Sequence, residues 1–108
     1  MSLPNEIVFG SRLIKLDFID KDTADKKKIF GEFTSDKNLI ILDKSLDNIQ
    51  MINTVIHEVC HLIHDQYKLE LSAKAEEVVC NSTANGICDI LYQNQDLLDF
   101  LYKSLKKE

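Results

Sequence analysis

Three residues in the middle of the chain have the types and the spacing of a catalytic metal site. His57 and His61 are four residues apart, so in a helix both imidazoles project from one face about one turn apart. Two such nitrogen ligands suit a single zinc ion, and Glu58 lies where a carboxylate can take a proton from metal-activated water. The segment His57-Glu58-Val59-Cys60-His61 therefore predicts two zinc ligands and a general base.

A third ligand is expected further along the chain, because a catalytic zinc usually takes three protein ligands and leaves one position to water. Glu76 and Glu77 follow His61 after enough residues for a turn and an antiparallel second helix. On a helical wheel Glu76 falls in the middle of an apolar arc and Glu77 at its edge. Burial favours Glu76, whereas Asn81, one turn after Glu77, favours Glu77 because it can orient a ligand. The predicted metal set is His57, His61 and Glu77, with Glu76 as the open alternative.

Other side chains near the pair are weaker candidates. Cys80 shares a helical face with Glu77, but thiolate ligands are less usual in hydrolytic zinc centres. His64 lies about 10 Å along the axis from His57, which is too far for both to share one tetrahedral ion. His64 and Tyr67 are the nearby groups expected to stabilise an oxyanion.

The elements that position these residues follow from the spacing of apolar side chains. Partly alternating, β-rich runs in the first half predict four short strands: Glu6 to Phe9, Leu13 to Phe18, Ile29 to Phe33, and Asn38 to Leu42. The polar stretch from Asp20 to Lys28 predicts a loop. These strands belong to the part of the chain that precedes the histidine pair.

The second half of the chain has a helical period. Helices are predicted from the N-cap Asp47 to about Asp65, from the cap Ser72 to about Tyr92, and from Asp96 to Leu105. Two apolar stripes are expected to face inward. The first helix has Ile49, Ile52, Ile56, Val59 and Ile63, widened by Val55 and Leu62, and the second has Val79, Thr83, Ile87 and Ile90 or Leu91. Residues 1–108 are therefore predicted to form a single α+β domain, in which a small, mostly antiparallel sheet packs on two long helices.

Composition narrows the classes of partner and compartment. The 108 residues carry a formal net charge of −5, which argues against nucleic acid as a direct partner because phosphate binding needs clustered Lys and Arg. No apolar stretch is long enough for a membrane span, and the N-terminus lacks the features of a signal peptide. Cys60, Cys80 and Cys88 have no framework spacing, so reduced thiols and a cytoplasmic location are expected.

A family resemblance joins these features. The segments Gly31-Glu32-Phe33, Asn38 to Leu42, Thr54 to His61 and Glu76 to Val79 resemble the small gluzincin-type metallopeptidase domains of phages and mobile elements, distant relatives of the ImmA/IrrE group. The resemblance covers roughly residues 7 to 100, and its specific part is the H-E-x-x-H core. It implies a minimal zincin-like fold, with an active-site helix and a second helix that bears a ligand.

The resemblance also implies roles for individual residues. His57, His61 and Glu77 would bind zinc, and Glu58 would be the general base. In larger relatives, an acidic residue one turn after the ligand Glu steadies a zinc-binding histidine. This chain has Asn81 at that position, so the histidine would have an uncharged partner. The strand from Leu39 to Leu42 would form the edge of the cleft, where a peptide can add by β-pairing.

The sequence therefore predicts a zinc metallopeptidase that hydrolyses peptide bonds in a protein or peptide substrate. Two alternatives stay open: a catalytically inactive zincin-fold adaptor domain, and a metal-free α+β interaction module. Neither the substrate nor the oligomeric state is indicated by the residues.

Overall fold

The sheet is assembled from two antiparallel pairs of strands. In the computed structural model, which describes residues 3–107, β1 (Glu6–Phe9) and β2 (Arg12–Ile19) form a hairpin. Gly10 in its turn has a φ of 60°, a left-handed conformation that glycine adopts without the steric cost of a Cβ. The second pair is β3 (Gly31–Thr34) and β4 (Leu39–Asp43), joined by a 3-10 turn at Ser35–Lys37.

Strand β4 lies inside the sheet. It pairs in parallel with β2 and antiparallel with β3, which gives the order β1-β2-β4-β3. The prediction of a small, mostly antiparallel sheet is confirmed, with one parallel pairing. The expectation that Leu39 to Leu42 forms a cleft edge is wrong, because both sides of β4 are paired. The strand at this edge of the sheet is β3.

The stretch from Asp20 to Lys28, predicted to be a loop, contains a short helix, α1 (Lys21–Lys27). Asp20 caps it by accepting a hydrogen bond from the backbone N–H of Thr23, and Lys28 ends it in a left-handed conformation. Ala24 is its one fully buried residue. A single buried alanine gives no hydrophobic period, so the charged sequence concealed the helix.

Three longer helices follow the sheet, as predicted: α2 (Asn48–Tyr67), α3 (Ala73–Gln93) and α4 (Gln95–Leu105). Asp47 and Gln50 form the predicted reciprocal capping box at the start of α2. Ser72 caps α3 by accepting a hydrogen bond from the backbone N–H of Ala75. No helix in the described part of the chain combines the length and apolar character that crossing a membrane requires.

The core lies between one face of the sheet and α2. Its fully or nearly buried residues are Ile14, Leu16, Ile40, Leu42 and Leu62. From α2, Met51 and Val55 pack against this cluster beside Leu62. The result is a compact α+β domain, which confirms the predicted fold class.

The predicted inward stripes are wrong at several positions. On α2, Val55 and Leu62 contact the core as predicted, but Ile49, Ile52 and Ile63 are exposed, because the sheet meets the face of Met51, Val55 and Leu62. On α3, the buried residues are Cys80 and Ala84, whereas Val79, Ile87 and Ile90 are exposed. Helix α2 thus has one apolar face on the sheet, a second apolar face that is exposed, and a third face that carries the histidines. Periodicity alone could not tell which apolar face meets the core.

Candidate metal centre

The two motif histidines lie on the side of α2 that faces α3. Their Nε2 atoms are 3.1 Å apart, and the ring planes are inclined at 67° with centroids 4.8 Å apart. Their spacing of four residues places both rings on one face of α2, as the sequence predicted. Both nitrogens therefore approach the same point in space.

Helix α3 brings a carboxylate to that point. Glu77 Oε1 lies 2.9 Å from His57 Nε2, and Glu77 Oε2 lies 3.1 Å from His61 Nε2. The three residues predicted as metal ligands are thus together, and their donor atoms form one of two groups that could hold a metal ion. That they bind zinc stays a prediction.

The spacing of these donor atoms fits a tetrahedral zinc site. Zinc–ligand bonds of about 2.0–2.1 Å place neighbouring ligand atoms roughly 3.3 Å apart. The separations of 2.9, 3.1 and 3.1 Å are a few tenths of an ångström shorter, which a slight side-chain movement would supply. Two imidazoles and one carboxylate are also the donor set of many hydrolytic zinc centres.

Glu76 occupies the other nitrogen of His61. Its Oε2 atom lies 2.6 Å from His61 Nδ1, and its Oε1 atom lies 3.9 Å from His64 Nδ1. A carboxylate on Nδ1 fixes the tautomer that carries its proton there, so Nε2 is left free to bind a metal. Glu76 is therefore placed to orient a ligand, whereas Glu77 is placed to be one.

His61, Glu76 and Cys80 form the second possible donor group. Cys80 Sγ lies 3.6 Å from His61 Nδ1, so both groups share the His61 ring. Burial raises the pKa of the Cys80 thiol to about 12. The first group is the better metal site because it joins the Nε2 atoms of both motif histidines, whereas the second contains only one of these histidines and a fully buried thiol. Cys60, Cys80 and Cys88 are free thiols, as predicted.

Glu58 is held between α2 and the edge strand. Glu58 is only 5% exposed, and its Oε2 atom lies 4.0 Å from His57 Nε2. The backbone N–H of Phe33 acts on the carboxylate in the direction that lowers its pKa, against the effect of burial. Burial raises the pKa of Glu58 to about 7. A carboxylate beside the histidine pair but outside their donor group has the position of a base, not of a ligand.

The two histidines differ in their electrostatic surroundings. Burial lowers the pKa of His57, which favours the neutral imidazole that a metal requires. Burial acts in the same direction on His61, but the hydrogen bond to Glu76 and the nearby charges of Glu58 and Glu77 raise its pKa overall. Asn81 also interacts with the His57 side chain, which is the contact expected of it.

Gly31 allows β3 to lie this close to α2. A Cβ at Gly31 would stand 2.7 Å from Thr54 Cγ2 and 3.1 Å from the Ile41 carbonyl oxygen, both too short for an undisturbed contact. Sequence reasoning missed this residue and the Phe33 backbone N–H. An isolated glycine in a strand pattern is a known signal of close backbone approach, and it could have identified Gly31.

The site opens into a cavity of about 650 Å³ between α2, α3 and the segment from Lys28 to Ser35. His57, Glu58, His61, Glu77 and Asn81 are among the residues that line it. A volume of this size is typical of ligand pockets. The donor atoms are therefore accessible to a molecule from solution.

The two residues expected to stabilise an oxyanion are not in this cavity. Tyr67 is exposed and packs edge-on against Phe9, with ring centroids 6.1 Å apart. His64 is buried behind Glu76, and its Nδ1 atom has no hydrogen-bond partner. That expectation is wrong because both side chains project from other faces of α2 than the face of Glu58, His61 and Asp65 that lines the cavity.

Comparisons of the chain with protein-family models, curated proteins and solved structures found no match.

Proposed function

We propose that this chain is a zinc-dependent metallopeptidase of the gluzincin type, with a minimal zincin-like fold. The observation that carries the proposal is the meeting of His57 Nε2, His61 Nε2 and the Glu77 carboxylate within 3.1 Å. This donor set lies on the wall of a cavity that also contains the buried carboxylate of Glu58. The proposed zinc ligands and the proposed base thus line the same cavity, which would hold the substrate.

His57, His61 and Glu77 would hold the ion, and two neighbours would orient the ligands. Glu76 fixes His61 through Nδ1, and Asn81 contacts His57. When bound, zinc polarises the carbonyl group of the scissile bond and makes water a stronger acid. Such a site needs one additional group that can accept and return a proton.

Glu58 supplies that group. In the proposed reaction it takes a proton from the attacking water and then delivers it to the nitrogen of the leaving amine. Its side chain is almost fully buried at the cavity wall, so the base does not depend on the mobility of a surface side chain. This preorganisation is what a proton carrier requires.

The edge strand suggests how a peptide would lie in the cavity. Gly31, Glu32 and Phe33 of β3 line it, and β3 is paired on one side only, by β4. An extended peptide could add beside β3 through backbone hydrogen bonds. We therefore propose a protein or peptide substrate, and we expect a cytoplasmic location because the cysteines are free thiols.

Glu58→Gln tests the proposal most directly, because it removes the base and keeps the shape and the ligands. The variant should bind zinc like the wild type and lose at least about a hundredfold in cleavage rate. Zinc content by elemental analysis and cleavage of a peptide library, with a chelator control, measure the two properties. Undiminished cleavage by the variant would contradict the role of Glu58.

The same measurements on the wild type separate the alternatives. Stoichiometric zinc without cleavage would indicate an inactive zincin-fold adaptor. Absence of zinc binding would indicate a metal-free interaction module, and the proposed chemistry would then be wrong.

A further inference from the structure

Helices α2 and α3 expose an apolar surface that is separate from the metal centre. Its members are Ile49, Ile52, Ile56, Val59 and Ile63 of α2 with Val79, Thr83, Ile87 and Ile90 of α3, and we call it the helix-pair face. Ile49, Ile52 and Ile90 are 68%, 53% and 52% exposed. Their spacings of three and four residues are those of a stripe built for burial.

The two stripes run side by side. Asn53 lies beside Asn85 and His61 beside Glu76, so the helices are antiparallel. This register places Val59 at the level of Val79, and Ile52 at the level of Ile87. On a helical wheel the α3 stripe is opposite Glu77 and Asn81, which face the cavity. The helix-pair face and the metal centre therefore lie on different sides of the helix pair.

The helix-pair face is almost free of charge. On the wheel, the residues that flank the α2 stripe are uncharged: Asn48, Gln66 and Tyr67. At one end of the α3 stripe, the carboxylate of Glu76 is paired with His61. The chain as a whole is 29% charged and carries a net charge of −5. Two acidic copies could meet on this face without placing like charges against each other, whereas nucleic acid or an anionic membrane would require basic residues.

On the helical wheel, Gly86 lies beside Val79 at the border of the helix-pair face, where another chain could come close to the backbone of α3. It lies in the middle of α3, where glycine costs about 1 kcal/mol of stability relative to alanine. No atom of residues 3–107 lies within 4 Å of the position that its Cβ would occupy. Packing within the chain therefore does not require the glycine, but a second backbone lying across α3 would.

The exposed area is large for a monomer. The chain exposes 8125 Å², whereas a folded monomer of this mass exposes roughly 6,100 Å². Its radius of gyration is 14.4 Å, compared with about 13 Å for a compact domain of this length. The excess exceeds the roughly 800 Å² that each partner contributes to a standard interface. Obligate homodimers are the class that buries such large, apolar areas.

We propose that the helix-pair face is covered by a second copy of the chain, which packs its own helix-pair face on it in a two-fold dimer. Helices α2 and α3 of the two copies then pack together as four helices, and each sheet stays on the Met51, Val55 and Leu62 face of its own α2. Because the cavity lies on another side of the helix pair, both metal centres stay accessible. The dimer does not depend on the proposed activity, so either proposal can fail alone.

Two neighbouring valines on α3 provide a matched test. Val79 belongs to the helix-pair face and Val78 does not, and they are 40% and 57% exposed. Wild-type protein should sediment as a dimer, at twice the chain mass of 12.4 kDa, throughout the micromolar range. Val79→Asp should weaken the dimer at least about tenfold because it buries a charge. Val78→Asp should leave the dimer unchanged.

A second variant tests whether misfolding, and not loss of the interface, weakens the dimer. Gly86→Gln improves helix propensity and meets no atom of its own chain, so helical content by circular dichroism should be kept while the dimer dissociates. Sedimentation equilibrium of the wild type decides the matter. A monomer at all concentrations would overturn the proposal and assign the face to an unlike partner, and equal weakening by both aspartate variants would overturn the location of the interface.

Discussion

At the scale of single residues, the proposed metal centre has two neighbouring glutamates with different proposed roles, one as a metal ligand and one that orients a ligand. Glu77 meets the Nε2 atoms of both histidines, while Glu76 meets Nδ1 of His61. Adjacent residues of a helix project about 100° apart, but His61 lies between both side chains and is within reach of each. The two glutamates therefore have different chemistry despite being neighbours in the sequence.

Exchange of each glutamate for glutamine should reveal this difference. Glu77→Gln removes a charged ligand and should weaken zinc binding by more than about a hundredfold. Glu76→Gln removes an orienting contact and should weaken it about 10- to 100-fold. Competition with a chromophoric chelator measures both constants. Cys80→Ala should have little effect, and loss of zinc in the Cys80 and Glu76 variants alone would indicate the second donor group instead.

The sequence predicted the residues of the centre better than their surroundings. The spacing of His57 and His61 is a local property of one helix, so it survives folding unchanged. The choice between Glu76 and Glu77 depends on how α3 is rotated against α2, which a single helical wheel does not contain. Placing His64 and Tyr67 near a substrate failed because the cavity lies against a different face of α2, which the motif spacing alone does not reveal.

At the scale of elements, the approach of β3 to α2 determines where Glu58 lies. The strand supplies the backbone N–H of Phe33 to the Glu58 carboxylate, and it can do so because Gly31 has no side chain in contact with Thr54. Periodicity predicted β3 and α2 separately and approximately correctly. The family resemblance assigned the cleft edge to the wrong strand, Leu39 to Leu42, because strand order depends on pairings between distant segments.

Gly31→Ala should separate these two elements. The added methyl group has to displace Thr54 and the backbone of β4, so we expect a loss of about 1–3 kcal/mol in the free energy of unfolding. Urea denaturation measures the loss. Glu32→Ala, on the same strand with an exposed side chain, is the control and should be nearly neutral. Equal stability of the two variants would show that β3 is free to move away from α2.

At the scale of the whole molecule, the parts differ in how firmly they are held. The sheet and α2 share the aliphatic core of Ile14, Leu16, Ile40, Leu42 and Leu62. Helix α3 contributes only the small residues Cys80 and Ala84 to the buried interior, and α4 contributes none among the described residues. Burial of small side chains stabilises weakly, so much of the attachment of α3 to α2 comes from the polar contacts of the metal centre.

Zinc should therefore stabilise the molecule unevenly. An ion held by α2 and α3 at a hundredfold excess over its dissociation constant adds about 2.7 kcal/mol, which corresponds to roughly 10–20 °C in melting temperature. Calorimetry measures the total, and hydrogen exchange should show slower exchange mainly in α3, with little change in β4. Glu77→Gln is the control, because it should abolish most of the effect. A zinc response that is equal in this variant, or that protects β4 as much as α3, would place the ion somewhere other than between these helices.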